Sequence, residues 1–246
     1  MKLIKKIFLI SAIAAIMLTG AMLAWSVSSI RHAETETEEF LQSSTTVLVE
    51  DTQWLSFHPQ NQSPKVGFIF YPGGNVDYRA YAPTLYRIAE AGFLVVDVAM
   101  PLNLAVLGAS KASKVINTYP EIENWVIGGH SLGGSMASRF VDLNPGSVDG
   151  LALWASYPAE SNSLADAAVE VLSIYATLDG LATVAKIERA IPLLPEDTHY
   201  FPIQGGNHAQ FGFYGTQEAD MAAMISRESQ QDQIVEVMVA FLEGFE

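Results

Sequence analysis

The stretch of sequence that decides the fold reads Trp125-Val126-Ile127-Gly128-Gly129-His130-Ser131-Leu132-Gly133-Gly134. Apolar residues typical of a buried strand lead into a Gly-x-Ser-x-Gly pattern centred on Ser131, and a helix-compatible stretch begins at Ser135. Such a tight turn strains the backbone of the serine, and flanking glycines avoid Cβ clashes. The N–H groups at the start of the helix favour negative charge beside the serine. In this context the pattern predicts a nucleophile elbow with Ser131 as the nucleophile; an ordinary glycine-rich turn is the alternative.

The composition of the chain limits the class of protein. The chain has 246 residues, of which 50% are hydrophobic, so it is long enough for one domain with a sizeable core. Cysteine is absent, which excludes disulfides, thiolate metal sites and a cysteine nucleophile. The net charge of −14 argues against nucleic acid as a partner.

The first thirty residues differ from the rest of the chain. Three lysines within the first six residues precede an uncharged, mainly apolar run at residues 7–30, which is long enough to span a bilayer. We predict a membrane anchor or signal segment at residues 1–32. An uncleaved anchor with a cytoplasmic N-terminus and an extracytoplasmic domain is favoured, and secretion after cleavage near Ser26 is the alternative.

The segment after the apolar run is acidic. Residues 33–44 are rich in glutamate and predict a linker or a solvated helix. The remaining residues, 45–246, show no internal repeat and no shift in composition, so they are expected to form a single domain.

Hydrophobic patterns in this domain alternate between strands and helices. Two half-buried strands, at residues 45–50 and 53–57, are expected to pair as a hairpin. Further strands are predicted at residues 66–71, 93–98, from Trp125, 150–155, 171–176 and 199–203, and helices at 78–91, within 104–118, after Ser131 and at 230–241. This order predicts an α/β fold with a mostly parallel sheet and helices on both faces.

A serine hydroxyl needs a base, and the base needs a group that orients it. In a sheet of this kind the acid and the histidine follow the serine in the chain, each after a strand. Asp179 directly follows one predicted strand, although an aspartate before Gly180 is also typical of a simple turn. His208 lies in a glycine-rich loop after the last strand and is the predicted base.

The other histidines are weaker candidates for the base. His32 and His58 are expected to be solvated, and His199 is expected to be structural. His130 is next to the serine, but its side chain should point away from the nucleophile's face, so we interpret it as a packing and hydrogen-bonding residue.

An oxyanion hole needs two hydrogen-bond donors. The backbone N–H of Leu132, directly after the nucleophile, is the first candidate. The second is expected in the glycine-rich loop after the strand at residues 66–71, where Gly74 is preferred and Asn75 is next. A plain Pro-Gly turn is the alternative for this loop.

Five stretches together carry a family resemblance: residues 70–83, 98–105, 128–134, 175–180 and 205–212. With them, residues 65–241 resemble the bacterial alpha/beta hydrolase fold-5 family. The resemblance implies a small α/β-hydrolase fold with minimal or no lid and a triad of Ser131, Asp179 and His208. Members with an N-terminal membrane segment agree with the apolar start of this chain. The Tyr-Pro-Gly-Gly sequence at residues 71–74 departs from the His-Gly of many larger lipases.

The sequence therefore predicts a serine hydrolase that acts through an acyl-enzyme and needs no metal or organic cofactor. The expected substrate is a small or medium carboxylic ester. Four apolar residues are candidates to line an acyl pocket, although core packing explains them equally well: Leu102, Leu104, Val106 and Leu107. The alternatives are a thioesterase, a peptidase, a dienelactone-type hydrolase, or a non-catalytic, membrane-tethered binding domain.

Overall fold

The computed structural model describes residues 17, 20 and 29–246, and an eight-stranded sheet organises them. The strands are β1 (Val47–Asp51), β2 (Leu55–Pro59), β3 (Val66–Tyr71), β4 (Leu94–Asp97), β5 (Asn124–His130), β6 (Gly150–Trp154), β7 (Glu170–Ala176) and β8 (His199–Ile203). Their order in the sheet is β1-β2-β4-β3-β5-β6-β7-β8. Strands β3 to β8 run parallel, while β1 and β2 form an antiparallel hairpin at one edge. The predicted, mostly parallel sheet is confirmed.

The central strands are apolar because both of their faces are covered. In β3 every residue is buried, and its side chains alternate between two hydrophobic cores. Phe68 and Phe70 enter one core, and Ile69 and Tyr71 enter the other. Continuous apolar runs of this kind are typical of strands in a parallel sheet with helices on both sides.

Within residues 29–246, five α-helices pack around the sheet: α1 (Ala82–Glu90), α2 (Lys111–Thr118), α3 (Leu132–Leu143), α4 (Val184–Ala190) and α5 (Arg227–Glu243). Residues of α1 and α5 belong to the core that contains Phe70, whereas residues of α2 and α3 belong to the core that contains Ile69. Helices therefore cover both faces, as predicted. The two stretches in which a lid could be inserted, residues 100–114 and 156–168, contain only single 3₁₀ turns in addition to the start of α2: Pro101–Asn103, Ala105–Leu107 and Glu160–Asn162.

The acidic segment at residues 33–44 is a short helix rather than an extended linker. Thr35–Leu41 forms a 3₁₀ helix in which Thr37 is buried, and Phe40 packs against the core. Glu34, just before the helix, forms an ion pair with Arg227 of α5. The apolar side chains on either side of the glutamates, those of Ala33, Phe40 and Leu41, pack the segment against the domain, while most of the glutamates face solvent.

The predicted membrane segment at residues 1–32 lies largely outside the described residues. The chain divides into two compact units, Met1–Ile30 and Arg31–Glu246, and the second contains the whole sheet. Within the described part of the chain, we find no helix with the length and apolar character that crossing a bilayer requires.

Candidate active site

Ser131 lies in the sharp turn between β5 and α3. Its φ of 52° and ψ of −119° are unusual for a residue with a side chain. The Ser131 N–H donates to the Trp154 carbonyl at 2.9 Å, and the Ser156 hydroxyl donates to the Ser131 carbonyl at 2.7 Å. These bonds to β6 and to the residues after it hold the strained turn in place.

Three glycines allow α3 to begin close to the sheet backbone. A Cβ on Gly129 would lie 2.4 Å from the Tyr71 carbonyl oxygen, and a Cβ on Gly133 would lie only 2.0 Å from it. A Cβ on Gly134 would lie 2.6 Å from the Gly129 carbonyl oxygen. The glycine pattern in the sequence thus reflects backbone-to-backbone contact that any larger residue would prevent.

Asp179 and His208 form a buried pair at the ends of β7 and β8. The distance between Asp179 Oδ2 and His208 Nδ1 is 2.7 Å, and each residue is only 1% exposed. The other carboxylate oxygen, Oδ1, accepts the N–H groups of Leu181 and Ala182, each at 2.7 Å. The carboxylate is therefore fixed from both sides, and Nε2 of His208 is left as the nitrogen that can exchange a proton.

Ser131 and His208 line one cavity of about 270 Å³. Its wall consists of Ser131, Leu132, Ser135, Ala155, Ser156, Tyr157, Leu181, Ala182 and His208. No lysine, arginine, aspartate or glutamate side chain belongs to this wall. The sheet thus brings the predicted serine, histidine and aspartate together at the carboxyl ends of its parallel strands.

The glycine-rich loop after β3 lies beside the start of α3. A Cβ on Gly74 would be 2.9 Å from Cδ2 of Leu132, so the two predicted oxyanion donors belong to neighbouring residues. The Asn75 N–H donates to the Asn103 carbonyl at 2.8 Å, whereas we find no hydrogen bond of the Gly74 N–H within residues 29–246. Gly74 therefore remains the better candidate for the second donor.

Tyr81 connects this loop to the turn at Ser131, a role the sequence did not indicate. The Gly73 N–H donates to the Tyr81 hydroxyl at 3.1 Å, and the same oxygen lies 2.8 Å from His130 Nδ1. Because the hydroxyl already accepts from Gly73, we assign its proton to the bond with His130. A Cβ on Gly73 would meet both the Tyr81 oxygen and His130 Nδ1, at 2.8 and 2.9 Å.

Burial keeps this pair of side chains uncharged. It raises the pKa of Tyr81 well above its ordinary value. It lowers the pKa of His130 well below its ordinary value, and the neighbouring His208 lowers that pKa further. The His130 and His208 rings lie 4.4 Å apart between centroids. His130 thus packs and hydrogen-bonds behind the site, in contact with both Tyr81 and His208.

A buried glutamine of α5 supports the loop that carries His208. Gln230 Oε1 accepts the Asn207 N–H at 3.0 Å, and Gln230 Nε2 donates to the Asn207 carbonyl at 2.9 Å. The side-chain amide pairs with the backbone as a neighbouring strand would. This contact fixes the residue directly before the histidine.

The candidate acyl-pocket residues lie away from this cavity. Leu102, Leu104, Val106 and Leu107 are absent from its wall, and Val106 and Leu107 line a separate cavity beside Leu143 of α3. The segment that carries them follows β4, and its Val106 and Leu107 face α3. Among the described residues, no cluster of histidine and carboxylate side chains is arranged to hold a metal ion.

Residues 67–232 match the sequence model of the Alpha/beta hydrolase family. The match covers more than half of the chain, and the chain belongs to this family. No curated protein matches the chain.

Several solved structures are similar in fold. They include a predicted CIB-like hydrolase from Thermoplasma acidophilum, with 15% identity, a TM-score of 0.56, and coverage of 80% of this chain and 98% of the other. The esterase domain of a Rhodothermus marinus protein has 11% identity, a TM-score of 0.58, and coverage of 76% and 90%. Thermogutta terrifontis esterase 2, phosphoramylated by tabun, has 12% identity, a TM-score of 0.55, and coverage of 79% and 94%. At these identities the likeness shows the fold.

Proposed function

We propose that this protein is a serine hydrolase that cleaves small or medium carboxylic esters through an acyl-enzyme on Ser131. The observation that carries the proposal is the buried Asp179–His208 pair, joined at 2.7 Å, on the cavity that Ser131 lines. A serine alone in a strained turn is a weak nucleophile. A serine that shares a cavity with an oriented imidazole has the base it needs.

In the first half-reaction, Ser131, His208, Asp179 and the two oxyanion donors act together on the ester carbonyl. As Ser131 Oγ attacks the ester carbonyl carbon, His208 Nε2 takes the hydroxyl proton. Asp179 holds the imidazole in the required tautomer and stabilises its charge. The N–H groups of Leu132 and Gly74 donate to the oxyanion.

Collapse of the tetrahedral intermediate breaks the bond from carbon to the alkoxy oxygen. The leaving alcohol then takes the proton from His208. In the second half-reaction, water attacks the acyl-enzyme while His208 removes a proton from it. The proton returns to Ser131 Oγ as the carboxylic acid leaves, so the enzyme is restored.

The size and lining of the cavity support the proposed substrate class. A space of about 270 Å³ suits a short acyl group, and its uncharged wall suits an uncharged ester better than an ionic substrate near the reacting carbon. Two of the proteins similar in fold are described as an esterase domain and an esterase.

The test is covalent labelling of the full-length protein with a fluorophosphonate, located by peptide mass spectrometry. The expected result is a single modified peptide that contains Ser131, with no label after Ser131→Ala. Ser135→Ala is the matched control, because Ser135 lines the same cavity and its loss should leave labelling intact. A folded wild-type protein that takes no label at Ser131 would contradict the proposal and favour a binding domain.

A panel of test substrates, assayed with the unlabelled protein, then separates the possible chemistries. Matched short-chain esters, thioesters, amides and a dienelactone should show the highest kcat/KM for the esters. A higher kcat/KM for a thioester, amide or dienelactone would keep the serine mechanism and replace the proposed substrate class.

Membrane attachment is a further part of this proposal, and its support is the basic start and apolar run of residues 1–30. The domain would then act outside the cytoplasm. Fractionation of cells that express the full chain should recover it with membranes, and protease added to spheroplasts should digest the domain. Recovery in the soluble cytoplasmic fraction would contradict this placement.

A further inference from the structure

Asp220 binds four backbone N–H groups with one carboxylate. Oδ1 accepts from Gly180 at 3.0 Å, from His208 at 3.3 Å and from Met221 at 3.0 Å. Oδ2 accepts from Ala209 at 2.8 Å. The side chain lies in the loop between β8 and α5, and it is absent from the wall of the Ser131 cavity.

These bonds join the two loops that carry Asp179 and His208, whose relative position sets the geometry of the candidate site. Gly180 directly follows Asp179, while the His208 and Ala209 N–H groups belong to the histidine loop. One carboxylate therefore ties the backbone beside the acid to the backbone of the base. The ring of His208 bonds to Asp179 and not to Asp220, so Asp220 is not a second candidate for the acid.

The backbone before Asp220 is shaped to deliver it to this point. Ala219 has a φ of 68°, which is strained for a residue with a side chain. A Cβ on Gly180 would lie 2.0 Å from the Ala219 carbonyl oxygen, so the two loops touch through their backbones. Both observations are independent of the hydrogen bonds, and both place the carboxylate between the loops.

We infer that Asp220 is a positioning residue that sets His208 against Asp179. The inference rests on the proposed function of the site. A carboxylate suits the role because both of its oxygens accept hydrogen bonds. An asparagine at this position would turn its NH₂ group toward the backbone N–H donors of one loop. Two donors that face each other repel, so that loop would be released.

The experiment compares Asp220→Asn with Asp149→Asn in the full-length protein. Asp149 is the matched control because its Oδ2 also accepts a backbone N–H, that of Trp125 at 2.8 Å, but at the opposite end of β5 from Ser131. Three quantities are measured: the rate of fluorophosphonate labelling at Ser131, the kcat and KM for a short ester, and the low-field proton NMR resonance of the His208 Nδ1–H.

Asp220→Asn should lower the labelling rate and kcat by about 10- to 100-fold, the scale expected when a catalytic group is misplaced by about 1 Å. KM should change by less than about twofold, because Asp220 does not line the cavity. The Nδ1–H resonance should shift or broaden, and Asp149→Asn should leave all three quantities unchanged. A wild-type rate and resonance in a folded Asp220→Asn protein would overturn the inference.

Hydrogen exchange in the wild-type protein tests the same idea if Asp220→Asn does not fold. The N–H groups of Gly180, His208 and Ala209 should exchange slowly, because each one is bonded to the carboxylate. Exchange at the rate of exposed amides would also overturn the inference. The resonance and the exchange rates need no substrate, so a failure of Ser131 to take label would contradict the proposed function and leave this test of Asp220 intact.

Discussion

The two halves of the candidate site are held in place by different physical means. On the side of β3 and β5, the serine turn and the glycine-rich loop are set by close approach of backbones, with Cβ positions at Gly129 and Gly133 that would overlap neighbouring atoms. On the side of β7 and β8, Asp179 and His208 are set by hydrogen bonds that backbone N–H groups donate to side-chain carboxylates. The first half depends mainly on close backbone packing, and the second depends mainly on polar partners.

The difference indicates what each half tolerates. A close-packed backbone has no room for a substituent, so an error there should cost the fold. A loop held by hydrogen bonds can move while the core stays packed, so an error there should cost geometry and activity first. Four substitutions test this contrast, beginning with the largest expected effect.

Gly133→Ala should destabilise the whole domain. The new Cβ would lie 2.0 Å from the Tyr71 carbonyl oxygen, and neither backbone can move without disturbing β3 or β5. We expect a loss of more than about 3 kcal/mol in the free energy of unfolding, or an insoluble protein. Urea denaturation measures this, with Gly244→Ala as the control, because Gly244 has a φ of −64° that alanine adopts easily. Full stability of Gly133→Ala would refute the steric account of this half.

Asp179→Asn should remove activity and keep the fold. With its oxygen on the Leu181 and Ala182 N–H groups, the new NH₂ group would face His208 and select the wrong tautomer, which cannot take a proton from Ser131. We expect kcat to fall by about 10⁴-fold. Ester kinetics and circular dichroism measure the two effects, and Asp142→Asn, at a carboxylate bonded to Asn162, is the control. Retained activity would move the acid to another residue.

Tyr81→Phe should have a smaller effect on the first half. It removes the acceptor for the Gly73 N–H and the partner of His130, so the oxyanion loop loses an anchor. We expect kcat to fall by about 10-fold and the free energy of unfolding by about 1 kcal/mol. Tyr71→Phe is the control, since its hydroxyl bonds to Ala109 and Ala112 instead. Equal losses of kcat in the two variants would show that Tyr81 acts only through stability.

The fourth substitution concerns stability rather than activity, at a buried carboxyl group of β4. Asp97 is fully buried at the end of β4, and neither of its oxygens has a hydrogen-bond partner among the residues that the structure describes. Burial raises the pKa of Asp97 well above its ordinary value, and the charges of Asp77 and Asp51 raise it further. The folded protein keeps this proton at pH values where the unfolded chain, with a carboxyl pKa of about 4, has lost it.

The folded state therefore binds more protons than the unfolded state above about pH 4, and stability falls as the pH rises toward the folded pKa. Asp97→Asn should gain stability relative to the wild type by up to about 1.4 kcal/mol per pH unit between pH 5 and pH 7. Urea denaturation at three pH values measures this, with the exposed Asp166→Asn as the control. A difference that does not change with pH would place the ionised carboxylate in the folded core.

The same contrast explains how much the sequence could predict. Steric demands leave a local pattern, so the glycines around Ser131 predicted the turn, the helix and the strand before it. The strand ends also predicted where Asp179 and His208 would lie, because parallel strands bring their carboxyl ends to one edge. The helical periodicity and the apolar runs were sufficient for the sheet.

Polar supports leave no local pattern. Tyr81 meets His130 across 49 positions in the chain, and Asp220 meets Gly180 across 40. A tyrosine in a helical stretch or an aspartate in a loop is common, so neither residue stands out before the fold is known. The apolar Val106 and Leu107 were misplaced for the related reason that hydrophobicity does not say which cavity a side chain enters.

The pairing of Gln230 with Asn207 has a consequence for the order of events during synthesis. Domains generally fold from the N-terminus as the chain emerges from the ribosome. The turn at Ser131 can pack early, but the loop of His208 receives its support from α5, which follows that loop in the chain. A nascent chain that ends before Gln230 therefore carries Ser131 while the loop of His208 still lacks this support, and the candidate site is complete only after α5 has been synthesised.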